Sequence, residues 1–154
     1  MIVIDSDVFV RDLRYPRDVR HSLNHRFLAA VSAHSEEAAT TLFNVLEVCG
    51  VLSFNLNRQQ LLALYASFGR QYGLTVLAPA LPDRVGRRMI DLLAGRAFGV
   101  ILRRVAFKDA LPLLTAESHP TATTFVTWNA KHFLGKTRLD VMTPEQWLMK
   151  RSRA

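Results

Sequence analysis

The sequence predicts an α/β fold in which helices cover both faces of a parallel sheet. Short apolar runs, the first of them residues 2–4, alternate along the chain with longer segments whose apolar residues recur at intervals of three and four. This alternation is typical of parallel strands joined by helices. The first run also ends directly in a carboxylate, Asp5, at the kind of position where open α/β sheets gather ligands and catalytic groups.

The individual elements follow from periodicity and from turn residues. Strands are predicted at residues 2–4, 74–77, 124–127 and 139–142. Helices are predicted over residues 17–33 and 36–52, and a third is expected between an N-cap at Asn57 and a stop near Gly73.

Three further helices complete the expected series. One opens at Pro82 and Asp83 and ends near Gly95, and residues 97–106 show no clear pattern. The next begins at Asp109, with Pro112 in its first turn, and closes at Pro120. A last helix is capped by the segment 143–145. The strands and helices together predict a sheet of about four to five strands.

Length and composition limit the class of protein. A chain of 154 residues with 49% apolar residues is the size of one domain spanning residues 1–154. Its single cysteine, Cys49, cannot form an internal disulfide, and the N-terminus lacks the pattern of a secretory signal, so we expect a cytoplasmic protein. The apolar runs fall well short of the roughly 20 residues that span a bilayer.

The positive charge is unevenly distributed. The net charge is +7, and residues 1–80 carry seven basic and seven acidic side chains, so the whole excess lies in residues 81–154. A basic face attracts polyanions through counterion release and long-range steering, which favours nucleic acid as a partner. A high isoelectric point also occurs in proteins where it serves only solubility.

Three acids stand at positions that suggest chemistry, although each has an ordinary explanation. Glu47 is the only charge among residues 43–52. It therefore either binds a metal ion, pairs with an arginine or lies on a narrow exposed stripe of the helix. Asp109 precedes an apolar helix and fits an N-cap equally well. Asp7 and Ser6 could likewise cap a helical turn after the first strand.

Taken together, Asp5, Glu47 and Asp109 match the oxygen ligands that Mg²⁺ or Mn²⁺ requires from distant chain positions. At this point the sequence resembles the PIN-domain family, in particular the toxin ribonucleases of the VapBC type. The resemblance rests on five pieces in register, namely residues 3–7, 44–47, 109–117, 125–133 and 141–145.

The resemblance implies a three-layer α/β/α sandwich and a specific activity. Asp5, Glu47 and Asp109 would be the catalytic acids and would bind Mg²⁺ or Mn²⁺, and an activated water would cleave an RNA phosphodiester. A small antitoxin protein would block the site, and a homodimer is possible.

The sequence departs from the family pattern after the third predicted strand. A fourth acid is often found near the place of Trp128 and Asn129, with another sometimes at His132. Here Asn129 could coordinate a metal through its amide oxygen, Thr127 could contribute a hydroxyl, and Asp7 could add a carboxylate. The site has less negative charge than the family pattern, which predicts weaker metal binding.

Candidate substrate contacts are basic or polar. Arg84, Arg87 and Arg88 form a stripe that is either a solvated helix face or an RNA-binding surface, with Arg103, Arg104 and Lys108 nearby in sequence. Arg11 and Arg14 could border the mouth of the site, and Trp128 is either a base-stacking residue or a buried aromatic. Further candidates are Ser6, Thr127 and Asn129.

Two other functions remain open. Residues 5–9 resemble the Asp-x-Asp opening of haloacid dehalogenase-type phosphatases, in which Asp5 would be the nucleophile and Asp7 the acid/base. That family also needs a Ser or Thr after the second strand and paired acids later, which the chain lacks. The other alternative is a PIN-like scaffold with an impaired metal site that binds RNA or protein.

Overall fold

The structure is a computed structural model that describes residues 1–33, 37–80 and 88–153, with the side chains of Arg88 and Met89 left out. Within these ranges no helix is both long enough and apolar enough to span a membrane. The predicted helix start at Pro82 and Asp83, and the candidate contacts Arg84 and Arg87, lie outside the described residues.

Strands and helices alternate through the described chain. The strands are β1 (Ile2–Ile4), β2 (Ala38–Thr41), β3 (Thr75–Leu77), β4 (Thr124–Val126) and β5 (Asp140–Met142). The helices are α1 (Ser6–Arg14), α2 (His21–Ala33), α3 (Leu42–Leu52), α4 (Arg58–Tyr72), α5 (Arg88–Leu102), α6 (Phe107–Ser118) and α7 (Pro144–Arg151), and a short 3-10 helix covers Ala130–His132.

The strands form one parallel sheet in the order β3-β2-β1-β4-β5. Strand β1 is central, with β2 on one side and β4 on the other, and Ile4 is directly opposite Val126. Because all strands point the same way, the residues that follow β1, β2 and β4 meet at one edge of the sheet.

Helices pack on both faces of this sheet. Successive residues of β1 point to opposite faces: Ile2 and Ile4 join one apolar cluster, which contains Phe9, Phe27 and residues of α1, α2, α3, α4 and α7. Val3 joins the other, which contains residues of α5 and α6. This arrangement confirms the predicted three-layer α/β/α sandwich and its parallel sheet of about five strands.

The predicted helix over residues 36–52 is wrong at its beginning. Residues Ala38–Thr41 form strand β2, and the helix begins only at Leu42. The strand lies between β1 and β3, where all four residues are buried, and it pairs Ala39 with both Val3 and Thr75. Alanine favours helices by intrinsic propensity, so sheet pairing overrides the local preference here.

Several predicted element ends also move. The helix predicted from residue 17 begins at His21, and α5 continues past Gly95 to Leu102. Helix α6 begins at Phe107 with Ala106 as N-cap, so the N-cap interpretation of Asp109 is wrong and Pro112 lies inside the helix. The caps at Asn57, Gly73 and Thr143 are as predicted.

Candidate active site

Asp5 stands at the carboxyl end of the central strand. It is only 8% exposed, its backbone amide donates to the Val126 carbonyl at 2.9 Å, and its carboxylate accepts from the Ser6 amide at 2.8 Å. Asp5, not Asp7 or Ser6, is therefore the N-cap of α1. This capping hydrogen bond fixes the Asp5 carboxylate at the junction between β1 and α1.

Two buried polar residues hold the peptide group before Asp5. The Ile4 carbonyl accepts from the Thr40 hydroxyl at 2.7 Å and from the Asn44 side-chain amide at 3.1 Å. Both donors are fully buried. Sequence reasoning missed this positioning role, although Asn44 is a polar residue inside an apolar helix and was a visible signal.

Glu47 reaches the same region from the interior of α3. It is half-buried, and its Oε2 accepts a hydrogen bond from the Ser6 hydroxyl at 2.8 Å. Among the described residues, the hydrogen-bond partner of Glu47 is Ser6, the serine next to Asp5, which the sequence did not predict. This bond places the Glu47 carboxylate beside the start of α1.

Asp109 approaches from the other face of the sheet. It lies in the first turn of α6, a helix that packs against α3, and its Oδ1 is 3.9 Å from the Lys108 Nζ. Burial raises the pKa of Asp109, Glu47 raises it further, and Lys108 and His132 lower it. Glu47 is therefore close enough to Asp109 to act on the charge of that carboxyl.

Asp7 is tied to the loop after β4. Its carboxylate accepts from the Trp128 amide at 3.0 Å, from the Thr127 hydroxyl at 3.1 Å and from the Asn129 side-chain amide at 3.0 Å. These bonds fix the first turn of α1 to that loop. Asp7 lies in the helix, so it does not share a strand face with Asp5.

The same bonds locate the polar candidates after β4. Thr127 is fully buried and its hydroxyl also accepts from the Asn129 backbone amide at 3.1 Å, whereas Asn129 is exposed. The Asn129 nitrogen is engaged with Asp7, which leaves its amide oxygen as the atom available to a ligand. Thr127 and Asn129 are thus held together beside Asp7 at the end of β4.

The site concentrates negative charge in a poorly solvated place. Burial raises the pKa of Asp5 well above its usual range, and the neighbouring Asp7 and, more weakly, Asp109 raise it further, against hydrogen bonds from Thr127 and Ser6. Burial also raises the pKa of Asp7, while the Trp128 amide and Arg11 counteract this rise. A cation near Asp5 would relieve both the desolvation and the repulsion.

The donor set suits a hard cation, although the described side chains do not form a closed cage. Within the described ranges, no three Asp, Glu, His or Cys side chains are grouped tightly enough to hold a metal ion. Mg²⁺ usually keeps several waters and binds to one or two carboxylates. Asp5 and Asp109, which interact electrostatically, would be the two carboxylates of such a set.

Two of the basic candidates, Arg103 and Arg11, have acidic neighbours in the structure. Arg103 makes two hydrogen bonds of 2.8 Å with Glu117, so it stabilises the fold on the α5 and α6 side. Arg88 is the first residue of α5, but its side chain is among those not described. Arg11 is close enough to Asp7 to lower the pKa of that carboxyl.

Comparison with known proteins gives a match in structure and none in sequence. No protein-family model matches the chain, and no curated protein matches it. The solved structures that resemble it include FitAcB from Neisseria gonorrhoeae, with a TM-score of 0.61 and 16% identity over 94% of this chain and 99% of that one.

Two other structures have the same fold. VapBC2 from Rickettsia felis, bound to a DNA fragment from their promoter, gives a TM-score of 0.58 and 15% identity over 93% of this chain and 98% of that one. Mycobacterium tuberculosis VapC20, a toxin that cleaves the sarcin-ricin loop, gives a TM-score of 0.52 and 17% identity over 74% of this chain and 79% of that one. The chain therefore has the fold that the resemblance to PIN-domain toxins predicted.

Proposed function

We propose that this chain is a divalent-metal-dependent endoribonuclease and the toxin of a toxin-antitoxin pair. The observation that carries the proposal is the convergence of Asp5, Glu47 and Asp109 at the carboxyl end of the central strand. The proposal is supported by the fold, which is shared with VapC-type toxins, and by the three chain segments that bring these acids to the same end of the sheet. The residues predicted from sequence as catalytic remain the proposed catalytic set.

The proposed chemistry assigns the acids to metal binding. Asp5 and Asp109 would hold Mg²⁺ or Mn²⁺, with Glu47 contributing directly or through a water. A bound ion of this kind lowers the pKa of coordinated water and neutralises charge that develops on a phosphate. The raised pKa of Asp5 and of Asp109 supports this assignment, because such carboxylates gain most from a nearby cation.

The surrounding residues have positioning roles in this proposal. The Ser6 hydroxyl donates a hydrogen bond to Glu47. We therefore propose that Ser6 orients the Glu47 carboxylate and does not contact the substrate. Asp7 holds the loop that carries Thr127 and Asn129, and this engagement makes it a weaker candidate for metal binding than Asp5. The Asn129 oxygen is left free to accept from a metal-bound water or from RNA.

The proposed partners follow from the matched toxins. VapBC2 is a complex found on promoter DNA, and VapC20 cleaves the sarcin-ricin loop. We propose that this chain likewise acts on RNA and is neutralised by a small antitoxin protein, in the cytoplasm and as a single domain over residues 1–154. A homodimer is compatible with the apolar side chains that α5 exposes, such as Phe98 and Leu102.

A scaffold with an impaired metal site is the second candidate. It is favoured by Asn129 at the place of an expected acid, and by the lack of a three-residue metal cluster in the described parts of the chain. Such a protein would bind RNA or a partner protein without cleaving. The phosphatase alternative is disfavoured, because the Asp7 carboxylate that would act as acid/base is engaged by three neighbouring residues.

A ribonuclease assay on the purified chain separates these functions. We expect RNA cleavage with Mg²⁺ or Mn²⁺, none with EDTA, and none in Asp5→Asn or Asp109→Asn, with Asp91→Asn on exposed α5 as the matched control. Unchanged cleavage in either site variant contradicts the proposal. Metal-independent RNA binding without cleavage supports the scaffold instead.

A further inference from the structure

Beside the acids, two arginines lie against one tryptophan. The guanidinium carbon of Arg11 is 5.4 Å and that of Arg20 is 5.3 Å from the centre of the Trp128 ring. We call Arg11, Trp128 and Arg20 the arginine–tryptophan stack. Guanidinium groups within about 6 Å of an indole centre make favourable cation–π contacts, so the ring holds two positive charges close together.

The ring of the stack is fixed at both ends. The Trp128 Nε1 donates to the Asn24 Oδ1 at 2.7 Å, and the Asn24 amide in turn donates to the Val8 carbonyl at 3.0 Å. The Trp128 backbone amide donates to Asp7 at 3.0 Å. The position of the ring is thus set relative to the carboxylates of the site.

The two arginines are not equivalent. Arg11 forms an ion pair with Asp18 and also acts on Asp7, so its charge is largely compensated. Its Nε is a buried donor that finds no acceptor among the described atoms. Arg20 is exposed, and in the described part of the chain its guanidinium makes no hydrogen bond or ion pair. It lies against Trp128, and its charge helps to lower the pKa of Asp18.

This geometry describes a preorganised anion site. A free guanidinium loses side-chain entropy when it grips a phosphate, but one already held against an aromatic ring loses less. Trp128 directly follows Thr127 in the loop that closes the acid site, so an anion on Arg20 would lie beside the proposed scissile region. The adjacent acids repel anions, so a bound cation would strengthen the binding of a polyanionic substrate.

We propose that the arginine–tryptophan stack binds a backbone phosphate of single-stranded RNA, with Arg20 as the phosphate ligand, next to the carboxylate site. This inference rests on the proposed function for the identity of the polymer. The Trp128 ring is covered by guanidinium groups, so it serves as a platform for Arg20 and not as a stacking surface for a base.

The test is RNA binding without cleavage. A fluorescein-labelled single-stranded oligoribonucleotide of about 12 nucleotides is titrated with wild type, Arg20→Ala and Arg20→Lys in EDTA at several salt concentrations, with fluorescence anisotropy as readout. Arg26→Ala is the matched control, since Arg26 is exposed on the adjacent α2 and lies beside α7 residues such as Leu148. Thermal melts confirm that every variant folds.

We expect Arg20→Ala to weaken binding about 5- to 10-fold and to reduce the slope of log K against log salt by about 0.7, the value for one phosphate contact on a single strand. Arg20→Lys should recover the slope but only part of the affinity, because an ammonium does not stack as a guanidinium does. Arg26→Ala should match wild type.

Equal affinity and salt slope for Arg20→Ala and wild type would overturn the inference. Full recovery of affinity in Arg20→Lys would overturn the role assigned to the Trp128 ring. Intact RNA binding with weakened binding of the cognate antitoxin would assign the stack to a protein interface instead. The proposed catalysis is tested separately by the cleavage assay. If wild type binds RNA through Arg20 but does not cleave it, the proposed catalysis is wrong and the phosphate site stands.

Discussion

The Ser6 hydroxyl donates a hydrogen bond of 2.8 Å to the Glu47 Oε2 and so joins the first turn of α1 to the interior of α3. The two residues are 41 positions apart in the chain, yet the bond sets the direction of a carboxylate at the end of the central strand. Ser6 also donates its backbone amide to Asp5. One serine therefore contacts two of the three proposed catalytic acids.

Removal of this hydroxyl should reduce activity more than stability. In Ser6→Ala the Asp5 cap survives, because it uses the backbone amide, but Glu47 loses its orienting donor. We expect cleavage to fall by about 10-fold or more, the usual effect of removing a group that orients a metal ligand. Ser6→Thr keeps a hydroxyl and should retain more activity. Equal rates for wild type and Ser6→Ala would show that Glu47 needs no orienting donor.

Asp5 should destabilise the metal-free protein at neutral pH. Burial first and Asp7 second raise its pKa in the folded state, so the folded state favours the protonated form. The contribution of Asp5 to stability is then greatest at low pH and is lost as the pH rises above the usual aspartate pKa of about 3.9 and through the raised folded value. In EDTA, the melting temperature of Asp5→Asn should exceed that of wild type, and the gap should widen from acidic to neutral pH.

The size and control of this effect are measurable. A gain of about 1 kcal/mol raises the melting temperature of a domain of this length by roughly 2–4 °C. Asp91→Asn, on the exposed surface of α5, should show no such pH-dependent gap. A destabilised Asp5→Asn at neutral pH would mean that the cap on α1 outweighs the electrostatic penalty.

Divalent metal should stabilise the wild-type chain through the same acids. A ligand that binds only the folded state at 100 times its dissociation constant adds about 2.7 kcal/mol. We expect Mg²⁺ or Mn²⁺ to raise the wild-type melting temperature and to have much less effect on Asp109→Asn. NaCl at matched ionic strength is the control for non-specific salt effects. Equal metal-induced shifts in both proteins would place the ion elsewhere.

Asp7 should behave oppositely to Asp5. It accepts hydrogen bonds from Trp128, Thr127 and Asn129, so Asp7→Ala leaves the Trp128 amide and the Asn129 side-chain amide without this acceptor. Unpaired buried donors cost about 1–3 kcal/mol each, and we expect a loss of stability in that range or above. Urea unfolding of Asp7→Ala and Asp5→Asn in EDTA tests the contrast. Changes of the same sign would contradict the separate roles assigned to the two aspartates.

Sequence reasoning located the elements whose ends carry strong local signals. Asn57, Gly73 and Thr143 mark helix ends through capping, which depends on a few adjacent residues. Strand β2 was missed because Ala38–Thr41 contains small and polar residues with no strand pattern. What makes it a strand is pairing with β1 and β3, which are distant in sequence.

In the site, too, local sequence signals predict some features, and contacts between distant segments determine the others. Asp5, Glu47 and Asp109 could be proposed from the sequence because a carboxylate beside an apolar run needs an explanation. The bonds that hold them were not, since the Thr40 and Asn44 donors to Ile4 and the Trp128 donor to Asp7 join segments 36 to 121 positions apart. Hydrogen bonds of this kind become visible only once the topology has brought the segments together.

The central claim is that Asp5, Glu47 and Asp109 cleave RNA with a metal-activated water. The most direct measurement is the chemistry of the product ends, by mass spectrometry of a cleaved oligoribonucleotide. Water as nucleophile leaves linear phosphate ends, whereas attack by the ribose 2′-hydroxyl leaves cyclic phosphates. We predict linear ends that form only with Mg²⁺ or Mn²⁺ and vanish in Asp109→Asn. Cyclic ends, or cleavage that survives EDTA, would contradict the claim.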